Sequence, residues 1–186
     1  MKKRIGLLGM LFACSFGLAM FSSCGDEQFT FSSYRNNLTI DNSLHQDATL
    51  ASAMNPNAKG IFCRISFSLV SGAKKFVFEN NHGVKTDKNF TAIDERLQSE
   101  HHIGMNNGLI VGFGIYGSTF FAYDNQCPNC FDYNVLPLRN YPLTMQSTGI
   151  AVCSNCKREY DLNVEGNGLT RYRAYTTGPF GTLHVD

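Results

Sequence analysis

Four cysteines in two matched pairs, Cys127-Pro128-Asn129-Cys130 and Cys153-Ser154-Asn155-Cys156, constrain the fold of this chain more than any other feature. Two residues between the members of a pair is the spacing of a metal knuckle, a tight turn that brings both sulfurs to one side. Two knuckles facing each other make a tetrahedral cage of four sulfurs. A zinc–sulfur bond of about 2.3 Å requires those sulfurs to lie within about 4 Å of one another. The 22 intervening residues, 131–152, must therefore leave one strand, turn and return beside it. A closed cage of four thiolates has no open position for substrate, so the pattern points to structure rather than catalysis.

The N-terminus carries a second signal. Met1-Lys2-Lys3-Arg4 is a basic start, Ile5 to Phe21 is mostly apolar, and Ser22-Ser23-Cys24 follows. A stretch this short between a basic start and small residues is a secretory signal rather than a membrane span. Cys24 resembles the acceptor of a bacterial lipoprotein signal, which implies diacylglycerol on the thiol and cleavage before residue 24. Gly25 stands where inner-membrane retention would call for Asp, and Asp26-Glu27 resembles the acidic export signal of Bacteroidetes lipoproteins. The resemblance implies an outer-membrane, lipid-anchored protein. The division expected is 1–23 signal, 24–35 tether and 36–186 a single domain, whose metal-site part is 120–186.

The net charge is +1, and no basic run is long enough to suggest nucleic acid. Fifteen Phe and eight Tyr supply bulk for one core. With Cys14 lost with the signal and Cys24 lipidated, Cys63 and the two pairs remain, an odd number that argues against a full disulfide framework. The sequons at Asn37 and Asn89 are read as chance occurrences.

Along the rest of the chain the periodicity is that of strands. Ile61, Cys63, Ile65, Phe67 and Leu69 alternate with Phe62, Arg64, Ser66 and Ser68, which predicts a half-buried strand with Cys63 packed inertly on its apolar face. Further strands are predicted at 76–78, 109–113, 120–123, 150–152, 160–162, 169–175 and 182–185, about eight in all, with one short helix over 47–54. That describes a small all-β sandwich or barrel. His101-His102 reads as an exposed polar loop, because adjacent residues of an extended segment face opposite ways. His45, His82 and His184 have no companion at ligand spacing. The glycines of 112–114 and 178–181 belong to turns and bulges, since no helix follows to make a phosphate loop. No catalytic triad, carboxylate pair or nucleophile elbow can be picked out, so a non-enzymatic protein is expected.

With the knuckles set between strands, the stretch from Phe120 to Val185 resembles a Rieske-type domain. Ala122-Tyr123-Asp124-Asn125-Gln126-Cys127-Pro128 is similar to the approach to that family's first ligand loop. Cys153-Ser154-Asn155-Cys156-Lys157-Arg158-Glu159-Tyr160-Asp161 is similar to the second, with Gly166 and Leu169 to Tyr172 following. The resemblance implies a Rieske-like fold whose ligand set has changed. Cys156 stands at one histidine position, Asn129 at the other with Cys130 one place later, and Lys157 replaces a glycine. A rubredoxin-like zinc ribbon shares the paired knuckles and is the alternative architecture.

Two imidazoles lift a Rieske centre to roughly −150 to +300 mV, whereas four thiolates hold a cluster near roughly −400 mV, so the histidine losses change any redox role. A chain without a twin-arginine pair is exported unfolded, and zinc then needs nothing but four thiolates. The expected function is a lipid-anchored envelope module that binds zinc at Cys127, Cys130, Cys153 and Cys156 and interacts with a further partner. The alternatives are disulfides among these cysteines in an oxidising compartment, or an electron carrier with a 2Fe-2S cluster or a single iron. A thioredoxin-like redox role has no surrounding βαβ pattern to support it.

Overall fold

The computed structural model describes residues 31, 32, 34, 36–98 and 103–186. The signal segment, Cys24 with Asp26 and Glu27, and His101-His102 lie outside the described residues.

In chain order the elements are β1 (Leu38–Asp41), α1 (Asn42–His45), α2 (Ala48–Ala53), β2 (Phe62–Val70), β3 (Ala73–Asn80), β4 (Lys85–Asn89), α3 (Ala92–Leu97), β5 (Leu109–Phe113), β6 (Phe120–Asp124), β7 (Leu143–Met145), β8 (Ile150–Cys153), β9 (Glu159–Asp161), β10 (Arg171–Tyr172), β11 (Ala174–Thr176) and β12 (Thr182–Val185). The expected all-β class is what the chain adopts. Among the described residues the strands form three antiparallel sheets: a six-stranded one of order β10-β6-β5-β2-β3-β4, and three-stranded ones of order β1-β12-β11 and β7-β8-β9.

The period of two along the central strands builds two separate cores. Cys63, Ile65, Leu109, Val111 and Ala122 face a cluster completed by Leu38, Ile40, Leu183 and Val185 of the β1-β12-β11 sheet and by Leu50 and Met54 at α2. Phe62, Ile110, Phe121 and Tyr123 face the other way, into a cluster with Leu143, Ala151, Tyr160, Leu162 and the cysteines. The six-stranded sheet is thus the middle layer, and the metal-site unit packs on one of its faces.

This layering corrects one expectation. The alternation puts Phe62 on the polar side of a half-buried strand, yet it is fully buried. The first half of β2 lies between β5 and β3 with a core on either face, so both sets of alternating residues are covered. Beyond Ile65 the strand pairs only with β3, and Leu69 and Val70 at its tip are exposed. The predicted strand over 169–175 divides at Arg173. Its first part pairs with β6 and its second with β12, while Arg173 exchanges two 3.0 Å backbone bonds with Asp186. One segment therefore crosses from the middle layer to an outer one.

The helix expected over 47–54 forms as α2, capped by the Asp47 carboxylate, which accepts the Leu50 N–H at 2.9 Å. Two further helices, α1 and α3, are too short to show a helical period in the sequence. Thr91 and Asp94 close a capping box on α3, and buried Asp94 also lies 3.1 Å from His45 of α1, tying the two short helices together.

Residues assigned to the tether also belong to the packing. Ser32 N–H donates to the Arg171 carbonyl at 2.7 Å, extending the β10 edge. The Phe31 ring lies under the guanidinium groups of Arg171 and Arg173, at 4.8 and 5.1 Å, and Tyr34 packs against the core of the β1-β12-β11 layer.

Candidate metal centre

The unit that carries the cysteines is inserted between β6 and β10, two strands that pair with each other, so its stem is closed by the central sheet. The last residue of β6, Asp124, sets the direction of the chain into the first knuckle. Its carboxylate is almost fully buried and accepts three donors: Met105 N–H at 2.6 Å, Gln126 N–H at 2.7 Å and the Tyr172 hydroxyl at 2.8 Å. Burial pushes its pKa above the ordinary carboxylate range, against the pull of those three donors. Asn125 then donates its N–H to the Gly108 carbonyl and accepts the Leu143 N–H at 2.8 Å, while Cys127 N–H reaches the Tyr141 carbonyl at 2.9 Å.

The second knuckle is the turn between β8 and β9. Cys153 N–H donates to the Arg158 carbonyl, and Lys157 N–H donates back to Cys153, at 3.0 and 2.9 Å. Lys157 achieves this with φ of 62°, the left-handed region. The first knuckle turns differently: Cys130 and Phe131 N–H both point at the Cys127 carbonyl, and no positive φ is needed. β7 joins the two. It bonds to Asn125 through Leu143, and the same residue lies opposite Cys153 in the β7–β8 register.

The result is convergence. One sulfur from each of Cys127, Cys130, Cys153 and Cys156 lies within 4.8 Å of every other, an arrangement that can hold a metal ion. Two approaches between the knuckles are Cys127 to Cys156 at 3.7 Å and Cys130 to Cys153 at 3.8 Å. A tetrahedron with metal–sulfur bonds of about 2.3 Å has edges of about 3.8 Å. All four thiols are free, as is Cys63. Cys63 lies in the opposite core and takes no part, and burial holds its thiol far above the ordinary range, as expected of an inert packed cysteine.

The two sides of the cage differ. Cys127 and Cys153 are fully buried, whereas Cys130 and Cys156 reach the surface. Burial pushes the Cys127 thiol up to about 12, although the Tyr160 hydroxyl, 3.3 Å from its sulfur, and the Asn129 N–H oppose it. The Arg158 N–H bond draws Cys156 down to about 6, helped by its neighbouring thiols. Tyr160 is itself held above its ordinary range by burial and by Cys127, so its hydroxyl keeps its proton at neutral pH and is able to donate to that sulfur once the thiol is ionised. On the outer side Asn155 Nδ2 reaches across to Cys130 Sγ at 3.2 Å. A cage of four thiolates around a divalent ion carries excess negative charge, and these donors are what a protein supplies to spread it.

The spacing of the cysteines picks out the four residues whose sulfurs converge here. Tyr160, Asp124 and Asn155 support the site; in the sequence they lie within the stretches around the cysteines, and none of them is given a role of its own there. His45 and His184 are engaged elsewhere, with Asp94 and with the Thr39 hydroxyl. No family model, no curated protein and no solved structure matches this chain.

Proposed function

We propose that the chain is a lipid-anchored protein of the bacterial envelope in which Cys127, Cys130, Cys153 and Cys156 hold a structural zinc ion, and that it serves as a binding or interaction module rather than an enzyme. The observation that carries the metal part is the pair of cross-knuckle sulfur separations, 3.7 and 3.8 Å, which fit the edges of a single-ion tetrahedron. A two-iron cluster places its thiolate pairs on opposite irons, spread by the width of the Fe2S2 core. Four sulfurs all within 4.8 Å of one another suit one ion better. Zinc also suits a chain exported unfolded, because it needs no assembly machinery.

The Rieske-like reading of the fold is supported by the way the knuckles sit on a small three-stranded sheet inserted between two paired strands of a larger one. The anchor rests on the sequence of residues 1–27 alone. In this reading the zinc fixes the insert, and the surface of the insert meets the partner.

A second reading, a single iron in the same cage acting as an electron carrier, is favoured by the exposure of Cys130 and Cys156, which gives electrons a short path to the surface. Metal analysis of protein purified from its own compartment separates the readings. One zinc per chain and no colour supports the first. One iron without sulfide supports the second. Iron with matching sulfide restores the cluster, and disulfides without metal defeat all three.

A further inference from the structure

Between the first knuckle and β7 the chain presents apolar side chains to solvent. Tyr133, Val135, Leu136 and Leu138 are 51%, 53%, 83% and 42% exposed. Clustered exposure of this kind marks a surface that meets something. The loop is held in place rather than hanging free. At its far end Asn140 Oδ1 accepts the side-chain amides of Gln126 and Asn106, at 2.6 and 3.2 Å, and at its near end Asn134 N–H bonds to Asp132. Between the loop and Cys130 lies a cavity of about 220 Å³, with Arg139 on its rim.

What meets this surface follows from where the chain enters the domain. Tyr133 packs edge-on against Tyr34 with ring centroids 5.3 Å apart, and Phe31 and Ser32 are fastened to Arg171 just before it. Only residues 25–30 separate Phe31 from Cys24. Seven residue steps span at most roughly 25 Å even when fully extended. A lipid on Cys24 would therefore hold this end of the domain close to the bilayer surface.

We propose that the loop 133–138 docks into the headgroup boundary of the same membrane that takes the Cys24 lipid, so that the metal-site end of the domain faces the bilayer. The proposal rests on the reading of Cys24 as a lipid acceptor. The chemistry suits the place: tyrosine favours the membrane interface, Val135, Leu136 and Leu138 supply apolar area, and Arg139 faces anionic headgroups. Anchored proteins gain from a second, weak membrane contact of this kind.

The chain contains no tryptophan, so a single introduced one reports its own depth. Leu136→Trp places it on the loop. Tyr116→Trp, at a residue 64% exposed in the turn after β5, places it at the opposite end of β6 from Asp124. Each full-length variant is lipidated in a suitable host, checked for lipid on Cys24 by mass spectrometry, and reconstituted into phosphatidylethanolamine–phosphatidylglycerol vesicles with and without brominated acyl chains. The proposal expects both variants to float with the vesicles. Only the Leu136→Trp variant should shift its emission to the blue and lose intensity to the bromines. Flotation with unquenched emission from the loop variant, or with equal quenching in both variants, overturns the docked loop and leaves the anchor standing. Absence of lipid on Cys24 together with failure to float overturns the anchor and the docked loop together.

Discussion

Lys157 holds a backbone conformation that glycine adopts more easily. Its φ of 62° turns the chain after Cys156 so that the Arg158 N–H faces the Cys156 sulfur. For a residue with a Cβ the left-handed region costs about 1–2 kcal/mol. Glycine would relieve that cost and lose about 0.5–1 kcal/mol of it to the extra freedom of the unfolded chain. Lys157→Gly should therefore leave the protein between unchanged and about 1.5 kcal/mol more stable in urea unfolding, with metal retained against chelator. A loss of more than about 1 kcal/mol would mean that the lysine side chain contributes something beyond its backbone angle. A lysine at this position does not abolish the turn.

At the scale of elements, the stem between β6 and the first knuckle depends on Asp124. Its Oδ2 accepts both Met105 N–H and the Tyr172 hydroxyl, and its Oδ1 accepts Gln126 N–H. Asp124→Asn keeps the shape but sets an amide NH2 against a donor whichever way it is turned, and a buried unsatisfied donor costs about 1–3 kcal/mol. The pH dependence has a definite sign. Burial raises the folded pKa above the unfolded one, so over the interval between them the folded state holds a proton that the unfolded state has released. The stability contributed by Asp124 is then fully present below the ordinary carboxylate value and falls as pH rises toward the raised one. The gap between wild type and Asp124→Asn should narrow over that interval and level off once Asp124 is ionised. Urea melts from about pH 4 to 7 check this, and a gap that widens with pH would contradict it. Such an element is hard to read in sequence. β2, β5 and β6 announce themselves through apolar alternation, but β4 is Lys-Thr-Asp-Lys-Asn, an edge strand whose polar residues keep neighbours off and carry no hydrophobic signal. β7 has three residues, and its importance as the strut between knuckles comes from contacts with Asn125 and Cys153 that only the assembled fold supplies. The cysteines were legible because metal chemistry demands a spacing. Tyr160 was not, because a hydroxyl aimed at a sulfur 33 positions away leaves no local pattern.

For the whole molecule, the two cores on opposite faces of the central sheet predict what metal loss does. The cysteines belong to one core, with Leu143, Ala151, Tyr160 and Leu162, while the other is built from β1, β12, α2 and the reverse face of β2, β3 and β5 and contains no ligand. Metal coupling in small zinc modules is worth about 10–16 kcal/mol, as much as the whole stability of a typical domain at about 5–15 kcal/mol. The insert has short strands of three or four residues and little apolar area of its own, so it cannot stand that loss. β2 and β3, joined over eight residue pairs and packed on α2 through Phe76, Phe78, Leu50 and Met54, can. Cys153→Ser, or removal of the metal from the wild type, should therefore melt the insert first and leave the ligand-free core folded. Hydrogen exchange measured by mass spectrometry reads this out directly. Amides of 127–162 should lose protection, while those of Ile65, Phe76 and Phe78 keep most of theirs. Uniform loss across both cores would show that the molecule unfolds as one cooperative unit, and unchanged protection at 127–162 would show that the four sulfurs do not hold the insert together.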